Sequence, residues 1–210
     1  MSANQVNVRR KETPKSNWSK LHLAAIFAVV ILLGAIATFA VVSFSGGFNY
    51  SNAPLEIVAE GNRQIIRVPA GGNLQEAVIR AKSGDIIELA SGATYNEITL
   101  PKKDLTDFIT IQSSNIKQFP ENVRVSPKQS KLMAKIITRG GGKSAVSTES
   151  GAHHYRFVGI EFASATADYT YNLINFGTES DRLTDVPRDL EIDRSYIHST
   201  DKGKTRRGLA

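Results

Sequence analysis

Cysteine is absent from all 210 residues. The chain therefore has no disulfide, no thiolate nucleophile and no cysteine-based metal site. A broad excess of positive charge is missing too. The formal net charge is +6, yet residues 1–44 hold Arg9, Arg10, Lys11, Lys15 and Lys20 against the single acid Glu12. Everything after residue 44 carries 21 basic and 19 acidic side chains, a surplus of two. That balance gives no reason to expect a nucleic-acid partner.

Charge is missing altogether from one stretch. Leu21–Phe44 runs for 24 residues without Asp, Glu, Lys or Arg, and His22 is its only ionisable side chain. As a helix rising about 1.5 Å per residue it would be roughly 36 Å long, enough to cross a hydrocarbon core with some tilt. A cleavable signal peptide has an apolar core of only about 7–15 residues, so the run reads as a transmembrane signal anchor. All five N-terminal positive charges precede it, and the next basic residue is Arg63. The positive-inside rule then places residues 1–20 in the cytoplasm as a polar tail, with Trp18 at the interface, and everything after the span outside. Residues 45–56 read as a linker, and 57–210 as the extracytoplasmic domain.

That domain is organised around Gly71–Leu100. Asn73 is a plausible N-cap with Glu76 three residues on, the spacing of a capping box. Leu74, Ala77, Val78 and Ala81 make one apolar stripe on a helix of about nine residues. Gly84 is placed to take the left-handed conformation that ends helices. Ile86–Leu89 and Ile98–Leu100 read as strands around a Ser91-Gly92 turn. Ile57–Val68 reads as an earlier edge strand, and Phe108–Gln112 as a half-buried one. Residues 115–135 are a polar excursion, after which Ile136-Ile137 and Ala145-Val146 resume the strand pattern. Tyr155-Arg156-Phe157 and Leu190-Glu191-Ile192 share an apolar–charged–apolar order 35 residues apart, as successive passes of one face would. Asn172–Phe176 supplies a strand for another face.

Leu74, Ala77, Ala81, Gly84, Asp85, Ile87, Leu89, Gly92 and Tyr95, in that order, resemble the opening of right-handed parallel β-helix proteins of the pectin-lyase-like group. GAHHYRFVGIEF, DLEIDRSYIH and TRRGLA are similar to later segments of bacterial β-helix proteins, so the resemblance covers about residues 64–210. It implies an all-β fold: a right-handed parallel β-helix, or solenoid, with an N-terminal capping α-helix behind one transmembrane helix. A solenoid end needs such a cap because it exposes core side chains and strand edges. The resemblance also implies that the chain is the N-terminal part of a longer solenoid, truncated at its C-terminus.

The chemistry is sparse. Gly140-Gly141-Gly142-Lys143-Ser144 lacks the first glycine of a phosphate-binding loop and reads as a turn. His153 and His154, as neighbours on a strand, point to opposite faces and share no metal ion without a bend. Asp193, Tyr196, His198, Arg206 and Arg207 form the densest cluster of capable side chains and are the candidate substrate-binding residues. With Leu190, Ile192 and Ile197 inward, Asp193, Tyr196 and His198 face outward, and Arg206 and Arg207 return to the same flank. Guanidinium groups there would hold a uronate, and Tyr196 would stack on the sugar. Tyr169 and Tyr171, read as loop residues, are the next sugar-platform candidates. No catalytic residue is assigned and no metal site is expected. Calcium enters only through the lyase chemistry of the resembled family, with Asp193 as its carboxylate. The expected function is a membrane-anchored module contacting polysaccharide. The alternatives are a calcium-assisted polysaccharide lyase or other glycan-active enzyme whose catalytic coils are missing from this fragment, or a structural or adhesive surface protein.

Overall fold

The computed structural model describes residues 53–165, 167–201 and 203–210. The expected cytoplasmic tail and membrane span lie outside them. The described chain begins as a hairpin. β1 (Glu56–Glu60) turns through Gly61 and Asn62 into β2 (Arg63–Val68), with Ile57 opposite Ile66. Helix α1 (Leu74–Arg80) follows, two residues shorter than its apolar stripe suggests. Asn73 Oδ1 accepts from the Glu76 N–H at 3.1 Å, capping one of the donors a helix start leaves unpaired. Leu74, Ala77 and Val78 are buried, as is Ala81 just beyond the last turn. Lys103 Nζ closes the other end, donating to the carbonyls of Val78, Ile79 and Ala81 at 2.5–2.8 Å. Burial holds that ammonium below the ordinary lysine pKa, against an upward pull from Asp85.

Short strands make up most of the rest. β3 (Ile86–Leu89), β4 (Thr94–Tyr95) and β5 (Ile98–Leu100) come first, then β6 (Ile109–Ser113) and β7 (Ala134–Thr138). β8 (Val146–Thr148), β9 (His153–Val158) and β10 (Ile160–Ser164) follow. β11 (Tyr169–Asn175), β12 (Arg188–Asp193), β13 (Tyr196–Ile197) and β14 (Lys204–Leu209) complete the series. They assemble into three sheets. The first has the order β1-β2-β3-β6-β9-β12, the second β4-β7-β10-β13 and the third β5-β8-β11-β14. Every pairing is parallel except that of β1 with β2.

The core lies where one apolar row from each sheet meets the others. Ile66, Ile87, Ile111, Phe157 and Ile192 are register partners across the first sheet. Tyr95, Ile136, Phe162 and Ile197 align in the second, and Ile98, Val146, Ile174 and Leu209 in the third. These rows join one buried cluster up to β11, with Ile192 and Ile197 packed against its edge and Leu209 exposed, and the helix adds its stripe. Period-two alternation explains the choice of residues, since every second side chain of a strand faces one side. Corners must be tight. Gly159 carries the chain from β9 to β10 in one residue at φ +65°, and a Cβ there would meet Ile116 Cδ1 at 2.9 Å.

The expected fold is corrected at this point. The described residues form three mostly parallel sheets with few helices, and a β-helix solenoid is not shown. Ile65 pairs with Ile86, Ile86 with Thr110, Ile109 with Tyr155 and Tyr155 with Leu190. The interval between neighbouring strands of the first sheet thus runs 21, 24, 46 and 35 residues, whereas a solenoid stacks a near-constant unit. The antiparallel β1–β2 pair breaks the parallel order at its start. No helix among the described residues is long and apolar enough to cross a membrane. Residues 115–135 are no plain loop either. They form two 3-10 turns, Ile116–Gln118 and Pro127–Leu132, anchored by buried Phe119 and Met133.

Candidate functional site

The five candidate binding residues separate onto all three sheets. Asp193 ends β12 of the first sheet, Tyr196 and His198 belong to β13 of the second and its exit, and Arg206 and Arg207 sit in β14 of the third. The inward set is as the alternation implies: Leu190, Ile192 and Ile197 pack against the core while Glu191 and Asp193 are exposed. What fails is the return of Arg206 and Arg207 to the flank of Asp193, because the chain crosses to another sheet after His198. Asp193 is instead tied to its neighbour. Its Oδ2 accepts from Arg194 Nε at 2.7 Å, and Arg194 Nη1 donates to the Phe119 carbonyl at 2.8 Å. Calcium wants six to eight oxygens. One carboxylate already occupied by a guanidinium does not fit it, and no group of three or more His, Cys, Asp or Glu among the described residues is arranged to hold a metal.

Tyr196 and His198 do come together. Their rings stack with centroids 4.4 Å apart and planes 20° from parallel. His198 Nε2 lies 2.9 Å from Glu161 Oε1 and its Nδ1 2.9 Å from the Ser199 carbonyl. Glu161, on β10, is 5% exposed and also accepts from Lys135 Nζ of β7. Thr94, Lys135, Glu161 and Tyr196 are partners on one register row, and His198 reaches Glu161 from two residues beyond Tyr196. The sequence reading missed Glu161. Its signal was present, since an acid inside the apolar run Ile160–Phe162 requires a buried partner.

The second arrangement lies on the third sheet. Tyr169 and Tyr171 belong to β11, not to a loop, and are 45% and 57% exposed. Their rings meet edge to face at 4.8 Å. The register pairs Tyr169 with Lys204, Thr170 with Thr205 and Asn172 with Arg207, which sets Arg206 opposite Tyr171. Adjacent strands are about 4.8 Å apart, so two phenol rings and two cations share one exposed patch. Lys204, Arg206 and Arg207 make no ion pair with any described residue, and all three are exposed. Of the two residue sets that the sequence offered as rival sugar contacts, Tyr169, Tyr171 and Arg206 share one surface, whereas Arg207, opposite Asn172, falls on the alternate side of the strand.

His153 and His154 behave unlike ordinary strand neighbours. His154 adopts φ +58°, which supplies the bend their alternation lacks, and the two Nδ1 atoms lie 2.7 Å apart. His154 Nδ1 is 3.5 Å from Asp189 Oδ2, itself a residue of positive φ. His153 is the packed member of the pair and His154 is partly exposed. Burial, then Arg188 and His154, hold His153 below the ordinary imidazole pKa, opposed by Asp189 and Asp104. Gly140, Gly141 and Gly142 all have positive φ and form the expected turn. It is pinned by Glu97, which pairs with Arg139 at 3.3 Å and Lys143 at 3.7 Å. No protein-family model matches the chain, and neither curated proteins nor solved structures give a match.

Proposed function

We propose that this chain is a glycan-binding module, anchored by residues 21–44, that holds an acidic polysaccharide outside the membrane along the exposed face of its third sheet. The observation that carries the reading is the juxtaposition of Tyr169 and Tyr171 with Lys204 and Arg206. Phenol rings present a flat apolar face to the apolar side of a sugar ring, with a hydroxyl to spare for its polar rim. Arg206 offers the planar fork that matches a carboxylate bidentately, and Lys204 a point charge. Exposed aromatics at alternate strand positions next to unpaired cations have no packing role, since neither set touches the core cluster.

Calorimetric titration of the purified full-length chain with long uronate oligosaccharides tests this. Binding should weaken at least tenfold in Tyr171→Ala and again in Arg206→Ala, about 1.4 kcal/mol each. A neutral oligosaccharide of equal length should not bind measurably. Tighter binding of single-stranded DNA than of the uronate, also through stacking and cations, would assign the face to nucleic acid instead and overturn the reading.

A further inference from the structure

A cleft of about 590 Å³ opens between the segment 124–127 and β13, lined by Arg124, Val125, Ser126, Pro127, Ser195, Tyr196 and Ile197. It continues into a second hollow of about 540 Å³, which shares Arg124, Val125, Ser195 and Ile197 and adds Asp193 and Arg194. A space of this size suits one or two sugar units. None of its residues belongs to the Tyr169–Tyr171 face.

Tyr196, half-buried at its strand position, is held by several contacts. One side of its ring is covered by the His198 imidazole. That imidazole is held at both nitrogens, by Glu161 Oε1 and the Ser199 carbonyl, each at 2.9 Å. Glu161 is in turn buried and held by Lys135. A ring positioned in this way loses little rotamer freedom when a ligand arrives, which is how preorganisation strengthens binding. Tyr196 also lines the cleft. Two guanidinium groups lie nearby, but only one is available. Arg194 is bound to Asp193 and the Phe119 carbonyl. Arg124 is exposed and makes no hydrogen bond or ion pair with a described residue.

We infer that this cleft is a second binding site, for a single acidic sugar unit that stacks on Tyr196 and places its carboxylate on Arg124. Val125 and Pro127 wall the apolar side of the sugar. His198 and Glu161 are positioning residues that act through the Tyr196 ring, and touch no ligand themselves. Arg206 and Arg207 have no part in the cleft, so the anion partner of Tyr196 is Arg124. The inference shares its ligand class with the proposed function but stands on different residues.

The test is titration of the purified full-length chain with a uronate disaccharide, too short to bridge the cleft and the third-sheet face. Arg124→Gln, at an exposed position that cannot unfold the chain, should weaken disaccharide binding at least tenfold. Tyr196→Ala should do the same and Tyr196→Phe should not, because the stacking surface survives. His198→Asn should weaken binding severalfold and give a smaller further loss when combined with Tyr196→Ala than it gives alone, which separates positioning from contact. Tyr171→Ala should leave the disaccharide affinity within about twofold. Equal affinity in wild type and Arg124→Gln, or no disaccharide binding at all, overturns the inference. Loss of binding in Tyr171→Ala with none in Arg124→Gln assigns the disaccharide to the third-sheet face and also overturns it. Failure of the long oligosaccharide to respond to Tyr171→Ala bears only on the proposed function.

Discussion

Lys135→Met removes the ammonium that faces Glu161 and keeps the aliphatic stem that packs along β7. The Glu161 side chain is only 7% exposed, so a carboxylate that loses Lys135 is not rehydrated in place and keeps His198 as its one cationic or donating partner. Removing one partner of a fully buried pair costs about 3–5 kcal/mol. Lys135 is itself 28% exposed, and solvent screening lowers the figure to about 2–3 kcal/mol. In a chain of this size about 1 kcal/mol moves Tm by roughly 2–4 °C, so the single variant should melt some 4–12 °C lower. The second half of the prediction is sharper. Lys135→Met combined with Glu161→Leu takes away the buried charge along with its partner and sets two apolar side chains across β7 and β10. His198, 27% exposed, can then turn its Nε2 to water. The double variant should therefore return to within about 1 kcal/mol of wild type, although it carries one more substitution. Urea unfolding followed by circular dichroism gives both losses from the midpoints at constant m-value. A single variant that unfolds at the wild-type urea concentration would refute the argument, and so would a double variant less stable than the single.

Leu74→Asp buries an unpaired charge between α1 and the strands it covers, and should cost more than about 3 kcal/mol; a melting point within a degree of wild type would show that the helix does not close the core. Gly159→Ala should cost about 2 kcal/mol in urea unfolding, from a left-handed alanine and a Cβ driven towards Ile116, and an unchanged midpoint would mean that the β9–β10 corner relaxes freely. On the alkaline side, burial pushes the Tyr95 hydroxyl up to about 12, against a lowering bond from the Ala90 N–H, and burial with Glu149 also raises Tyr155. Raised acids contribute stability in full below the unfolded value near 10 and lose it as pH climbs through the folded one, by up to about 1.4 kcal/mol per pH unit per group; Tyr95→Phe should flatten the fall in stability between pH 10 and 12, and a profile identical to wild type would contradict this. On the acid side His153 is depressed, so its contribution is present above about pH 6.5 and is lost as pH falls below that value; thermal melts at descending pH should show a shallower decline in His153→Gln.

Local pattern carried much of the fold. The helix follows from its stripe and from Asn73. The 35-residue offset of Tyr155–Phe157 and Leu190–Ile192 was readable because alternation places the same chemistry on the same face, and those residues are register partners. Alternation is equally satisfied by any parallel strand with one buried face, whatever the interval to its neighbour. It therefore could not separate a regular solenoid from three sheets with unequal connections. The β1–β2 hairpin was hidden in the same way, since Gly61 and Asn62 differ little from a bulge inside one strand.

The candidate sites depended on relations that no local window contains. Lys135, Glu161 and His198 are 26 and 37 residues apart, and only the β7–β10–β13 register places them in contact. The positive φ of His154, which joins two imidazoles across a strand, is imposed by its surroundings and not by its residue type. Asp193, Tyr196 and Arg206 are close in sequence, yet each sheet crossing sends the next of them to a different face. Tyr169 and Arg206 are far apart in sequence and become neighbours because β11 pairs with β14. The sequence determined the capped helix, the strands with clear alternation and which side of each of those strands is wet, since these depend on side-chain period and capping chemistry, whereas the start of β11 at Tyr169 and the buried Phe119 and Met133 escaped it. Tertiary structure decided which wet residues share a surface, because parallel register is set by how complete apolar rows pack across chain separations of tens of residues.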